Sequence, residues 1–463
     1  MISKFFNDKA TYLKLATIFF LLKIITYSFD IIPVGQELNL RYQLLHPILL
    51  ENDLLKSLYF SHYQPPIWNL IYGIMIKIFG INYEIISIGL HIFNIFLSFV
   101  MVYYFFLICN FFKLESKKIY ITYLIFFIFS ISFLYYETYL HYTHLTVFLF
   151  AQLTYLYLKF SRNQNLINEI LIYSTALILV YTWTAFGHPL FIFVIFSGIF
   201  LIKFKKNFFR SFIIFIFFAF LAILPSIKNK KEINFFTNST LIGLQLVLVL
   251  SFDDNWDYYS RCDFDKTKTN IYERSFLENN PNLNITHPSL IGELSEFNNV
   301  GFVEKSKECL KIGINQIYKD PLRYLGRVKF LFISSHGHFT FDHIGWDPKE
   351  WRKYFGLFYD INANKFISPI KVRLLQLYYL LVYLFFISLT IKNILLIHKD
   401  DRIFQKTLSS IFFIYIWLMA VIYLATGMEH ERMRHTGHFI HVLFFIILIK
   451  NNFKIKLILK EIF

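Results

Sequence analysis

The chain has 463 residues, a formal net charge of +15 and 56% hydrophobic residues, with a mean hydropathy of +0.48. Its 58 Phe and 31 Tyr add more apolar surface than a water-soluble fold can hide, and apolar runs near the length that crosses ~30 Å of hydrocarbon recur along it. Composition therefore excludes a soluble protein, and the positive charge, carried in short loops, reads as a topology signal and not as a nucleic-acid surface.

In chain order, the first apolar run covers 11–29. No small-residue cleavage site follows it, so it reads as an uncleaved span. An outer segment from about Asp30 to Asn82 comes next. Within it, "SHYQPPIWNLIYGIMIKIFG", residues 61–80, puts a polar, sharply bent His-x-Gln-Pro-Pro turn before a short apolar helix. Pro66 suits the first turn of a helix, and Trp68 suits a membrane interface. Further spans are expected near 83–112, 119–136, 143–160, 167–186, 188–204 and 210–226. The segment 226–371 holds most of the polar sequence. In it, 241–250 is too short to span and is expected to pack on the membrane domain. A helical stretch after 300 is expected to break at Pro321. Three last spans are expected near 372–396, 406–426 and 437–454.

These elements predict an all-α polytopic membrane bundle of about ten transmembrane helices, with juxtamembrane helices and a small extracytoplasmic domain. The division is 1–225, an N-terminal transmembrane module with the outer loops; 226–371, extracytoplasmic; and 372–463, a C-terminal transmembrane module. Cations gather at one set of span ends: Lys4 to Lys14, Lys113 to Lys118, Lys159 and Arg162, Lys203 to Arg210, Lys399 to Lys406, and Lys450 to Lys456. The opposite loops 137–142 and 185–189 have none. Both termini are thus expected in the cytoplasm, with the protein in the plasma (inner) membrane. The three cysteines give no metal spacing: Cys109 lies in an apolar run, and Cys262 and Cys309 pair only if their segment faces an oxidising side.

Ionisable groups crowd the expected outer rim at four chain-distant places. These are Asp30, Glu37 and Arg41; His62 and Gln64; Glu137, His141 and His144 in "YYETYLHYTH"; and Glu429, Glu431, Arg432, Arg434 and His435 in "GMEHERMRHTGH". A carboxylate at the depth of Glu137 is costly unless something pairs with it or uses it. It is either a working group or half of a salt bridge to Arg432 or Arg434. The arginines are either phosphate ligands or interfacial anchors, and the His-x-Gln-Pro-Pro turn is either a binding element or a bend. A reaction between a lipid phosphate and a hydroxyl needs these residue types. A carboxylate takes the hydroxyl proton, and Arg or Lys offsets charge on the departing phosphate.

In this layout the chain resembles the GT-C superfamily of membrane glycosyltransferases, similar to protein O-mannosyltransferases and lipid A aminoarabinose transferases. The likeness rests on the acid after span one (Asp30), the "HYQPPIW" turn followed by "KIFG", "YYETYLHYTH", and the segment after span seven. It rests also on "PSIKN" at 225–229, "STLIG" at 239–243 and the terminal "EHERMRHTGHFIHVLFFIIL". It implies an enzyme that takes a sugar from a polyprenyl-phosphate carrier and passes it, with inversion, to a lipid, glycan or protein on the outer face. Asp30 would match the catalytic base, and Glu137 would be a second catalytic acid, matching the second-loop acid near the acceptor and any metal. Lys228, Arg432 and Arg434 would bind the carrier phosphate. Glu37, His62, Gln64, His141 and Glu431 would contact sugar or acceptor. Mg²⁺ or Mn²⁺ is compatible with these carboxylates but not required. The chain departs from the pattern in two places: Asp30 has no acidic neighbour, which leaves Glu37 and Asp53 as candidate bases, and no proline follows the terminal arginines. Reading the residues alone keeps open a lipid or glycan transporter or flippase, a surface-polysaccharide polymerase or ligase, and a non-catalytic scaffold.

Overall fold

The computed structural model describes residues 2–28, 44–45, 47–128, 130–203, 207–250, 300–337, 368–399, 402–425 and 435–452. Among them every regular element is helical. The order is α1 (Ile2–Ser28), α2 (Pro47–Asn52), α3 (Leu54–Phe60), α4 (Pro66–Phe79) and α5 (Tyr83–Phe111). It continues through α6 (Ser116–Tyr123), a π turn at Leu124–Ile128, α7 (Ile131–Thr138), α8 (Thr143–Arg162), α9 (Leu166–Thr182) and α10 (Pro189–Lys203). Then come α11 (Phe208–Ile233), α12 (Ile242–Leu250), α13 (Val300–Lys319), α14 (Pro321–Gly337), α15 (Ser368–Leu395), α16 (Ile403–Ala425) and α17 (His438–Lys450).

Among the described residues, four segments are long and apolar enough to cross a membrane: α5, α11, Leu377–Leu395 of α15, and Ile403–Leu424 of α16. α4, α9, α10 and α17 are apolar but shorter. A helix such as α17, with 13 residues, rises only about 20 Å. The run expected to span 119–136 is divided instead, because α6 passes into the π turn and α7 begins afresh at Ile131. Aromatic packing holds the break in place: the Phe127 ring sits 5.1 Å from Phe105 and 4.9 Å from Phe133.

α8 is the centre of the bundle. Residues on all its sides are buried, and α5, α7, α9, α16 and α17 pack around it. Local chemistry explains the elements nearest the expected site. Pro65 is extended (φ −57°, ψ 151°) and Pro66 opens α4, where a missing N–H costs nothing. Gly80 ends α4 at φ 66° and ψ −173°, a region essentially reserved for glycine. Trp68, Tyr72 and Ile76, spaced i, i+4, i+8, turn into the protein, so Trp68 is a core residue and not an interface anchor. α4 lies against α2, α3, α5 and α9, which is why that face is covered.

Pro225 sits inside α11 and leaves the Leu221 carbonyl without its helical donor. The Tyr181 hydroxyl of α9 donates to that carbonyl at 2.8 Å. As expected, the helix after 300 breaks at Pro321, and α12 packs on α16 as well as on α13.

The cation-bearing ends meet. Arg162 donates to the Phe111 carbonyl and Lys118 to Asn452, both at 2.8 Å. Lys450 lies over the Phe112 and Phe404 rings. Lys203 (2.6 Å) and Arg210 (3.4 Å) share the buried Glu169 carboxylate.

Candidate functional site

Two polar centres are built from the segments that sequence singled out. The first is the turn at 61–64. A proline pair denies this stretch its own helical hydrogen bonds, and distant segments supply them. The Thr240 N–H donates to the His62 carbonyl at 2.9 Å, and His62 Nδ1 lies 3.1 Å from Thr240 Oγ1. Ser239 Oγ donates to the Tyr63 carbonyl. From α11, Lys228 Nζ donates to the Tyr59 carbonyl at 2.8 Å and to that of Ser61. One turn of return brings 239–243 back. α11 ends at Asn234 in a left-handed conformation (φ 52°), and Asn229 Nδ2 donates to the Thr237 carbonyl at 2.8 Å. Lys228 thus spends one of its three N–H donors on the turn and one on the end of α3, and keeps one.

Gln64 is 5% exposed, and neither atom of its carboxamide has a hydrogen-bond partner among the described residues. The indole N–H of Trp68 is in the same condition. Buried polar groups of this kind are costly unless a ligand or water meets them.

Beside the turn runs an apolar groove of about 460 Å³ between α3, α4 and α9, lined by Leu55, Leu58, Ile67, Leu70, Leu177 and Ile178. Tyr59 and Tyr181 lie on it too. The Tyr59 carbonyl is a Lys228 acceptor, so the ammonium sits at the groove's edge. The Tyr59 hydroxyl donates to Glu232 at 2.9 Å, and this bond to a carboxylate raises the phenol pKa above its ordinary value.

The second centre surrounds Glu137, which is 2% exposed. Its partner is Lys23 of α1, which forms an ion pair with Oε1. Ser98 of α5 donates to Oε2. The same Ser98 hydroxyl lies 2.7 Å from His144 Nε2, and Asn94 Nδ2 donates to the Glu137 carbonyl at 2.9 Å. A Ser98 hydroxyl that gives its proton to the carboxylate accepts from the imidazole, so Nε2 of His144 carries a proton. Residues just before the last expected span pack beside this centre: His435 stacks on Tyr136 with centroids 4.7 Å apart, and Thr436 Oγ1 is 2.9 Å from Thr146 Oγ1. His141 lies 3.3 Å from Thr143 Oγ1.

Two contacts, with chain neighbours between them, run from the segment of Glu137 toward the segment that holds the turn. Tyr142, next to His141, lies 5.9 Å from Trp183. Trp183 leads to Gly187, against whose Cα the Asn238 side chain rests; a Cβ there would fall 1.3 Å from Asn238 Nδ2. Asn238 precedes the Ser239–Thr240 pair that holds the turn. His62, Gln64 and Lys228 therefore share one centre, and Glu137 and His144 the other. Asp30, Glu37, Arg41, Glu429, Glu431, Arg432, Arg434 and Cys262 lie outside the described residues. Asp53 spends a carboxylate oxygen capping α3, accepting from Lys56 N at 3.1 Å.

Sequence reasoning missed Lys23, Asn94 and Ser98. Two signals were available: a lysine inside an otherwise apolar run, and polar residues at 87, 91, 94 and 98 of a span, the spacing of one buried helix face. Compared with known proteins, the chain matches no family model, no curated relative and no solved structure.

Proposed function

We propose that the protein is an integral membrane glycosyltransferase of GT-C type. It takes a sugar from a polyprenyl-phosphate carrier and passes it to a lipid, glycan or protein acceptor on the outer face of the membrane. The observation that carries this reading is the joining of 61–64, 225–229 and 239–243 into one unit by Lys228, Ser239 and Thr240. The turn lies more than 160 positions from the other two segments, which are close to each other in the chain, and all three are among those that carry the resemblance. The apolar groove at the edge of that unit supports the same reading, because a prenyl chain needs an apolar channel that ends beside a cation.

In the proposed reaction the acceptor hydroxyl attacks the anomeric carbon and its proton passes to a carboxylate base, Asp30 or Glu37. The bond from that carbon to phosphate oxygen breaks, and the phosphate leaves with the electron pair as polyprenyl phosphate. Lys228, with Arg432 and Arg434, offsets the charge that develops there. His62, Gln64, His141 and Glu431 bind the sugar or the acceptor. Glu137 is a positioning residue, since Lys23 already neutralises it.

A second reading has one observation in its favour. The Lys23–Glu137–Ser98–His144 network is buried among the helices, and ionisable chains of that kind mark ion pathways in transporters. One experiment separates the two. Lipids and surface glycans of a deletion strain are compared with wild type by mass spectrometry, and purified protein is assayed for release of polyprenyl phosphate from its sugar conjugate. A sugar missing from the strain, together with release in vitro, supports transfer. An intact but mislocalised glycan, with no release, supports transport.

A further inference from the structure

The elbow between α13 and α14 stands apart from both centres. Lys319 ends α13 and Pro321 opens α14, with Asp320 Oδ1 accepting from Arg323 N at 2.9 Å. Tyr324 fixes the depth of this elbow. Its hydroxyl donates to the Leu424 carbonyl at 2.6 Å, at the end of a helix long and apolar enough to cross a membrane. Helical spacing then divides α14. Tyr324, Arg327 and Val328 turn toward the bundle, whereas Leu322, Leu325 and Lys329 turn away. Tyr318 is 83% exposed, Leu322 78% and Leu325 56%. Lys319, Arg323 and Lys329 are exposed beside them.

Large apolar side chains at the end of a span, ringed by cations, match the two layers of a membrane interface: upper acyl carbons and phosphate. We propose that this elbow docks on anionic phospholipids of the surrounding bilayer. Tyr318, Leu322 and Leu325 enter below the headgroups, and Lys319, Arg323 and Lys329 take the lipid phosphates. The proposal does not depend on the glycosyltransferase reading.

The test uses the full-length protein in nanodiscs of phosphatidylcholine with and without phosphatidylglycerol. An environment-sensitive fluorophore is attached at Leu322→Cys, with Cys262 replaced by Ser. In discs containing phosphatidylglycerol its emission shifts to the blue and is quenched by lipids labelled high on the acyl chain. In a second arm, the triple variant Lys319→Glu, Arg323→Glu, Lys329→Glu retains phosphatidylglycerol through purification on the order of tenfold less than the parent, with unchanged thermal unfolding in detergent. Water-like, unquenched emission in anionic discs overturns the proposal. So does equal lipid retention by a folded triple variant. Shielding of the probe that rises with protein concentration in lipid-free detergent would give the face to a second copy of the chain and overturn it equally.

Discussion

Lys23 shows how much one side chain decides. An ammonium in an apolar helix and a carboxylate at the end of another are each expensive alone, and each removes the other's cost. Lys23→Met leaves Glu137 buried without its cation, and Glu137→Gln leaves Lys23 without its anion. Each is expected to lose about 3–5 kcal/mol of stability, read as a lower thermal unfolding midpoint in detergent. The pair Lys23→Met with Glu137→Met should recover most of that loss. Singles as stable as the parent would show that water or another charge serves the cluster. The acid itself was legible in the sequence, since a carboxylate among apolar residues demands a partner. The partner was not, because Lys23 and Glu137 are 114 positions apart and Arg432 and Arg434 answer the same demand equally well on paper. Pairing across such a distance is a tertiary fact.

Elements that follow local rules were readable in the sequence: Pro65–Pro66 starts α4, Gly80 ends it, and Pro321 separates α13 from α14. Elements whose shape depends on neighbours were not. The break between α6 and α7 is packed by rings from other helices, Phe105 of α5 and His438 and Phe439 of α17 against Phe127, and nothing within 119–136 announces those partners. α11 lies between these cases. Pro225 forecasts a carbonyl without a donor, but only the fold supplies Tyr181. Tyr181→Phe is expected to cost about 1 kcal/mol. In a Pro225→Ala background, where the backbone N–H returns to Leu221, the same change should cost much less. A double-mutant cycle of unfolding free energies measures the difference, and equal costs in both backgrounds would break the link between the two residues. α12 offers a steric counterpart. A Cβ at Gly243 would lie 1.9 Å from the Ser306 carbonyl oxygen, so the two helices cross at backbone distance. Gly243→Ala is expected to push them apart at a cost of about 1–3 kcal/mol, seen as faster proteolysis of the 300–337 segment. An unchanged digestion pattern would mean that the crossing is not that tight.

Across the whole molecule the two kinds of polar group separate. The lysines and arginines that sequence assigned to one set of loops meet at one end of the bundle, through Arg162, Lys118, Lys203 and Lys450. The 61–64 turn belongs to segments that carry none of those contacts. What composition could not convey is the groove, because its walls come from α3, α4 and α9 and no single stretch displays them. The groove also makes the lipid-donor reading testable without disturbing the turn. Ile178 lies on its α9 wall and is 40% exposed, so a larger ring there fills the channel and leaves the Lys228 contacts alone. Ile178→Trp should raise KM for a long-chain polyprenyl-phosphate sugar by about tenfold, the worth of the apolar contact area it displaces. A short-chain analogue that does not reach the groove should keep its KM, and kcat should hold for both, because the reacting atoms are untouched. Lys228→Met should weaken both donors alike, since each presents the same phosphate. If Ile178→Trp impairs short and long donors equally, or neither, the carrier chain does not lie between α3, α4 and α9.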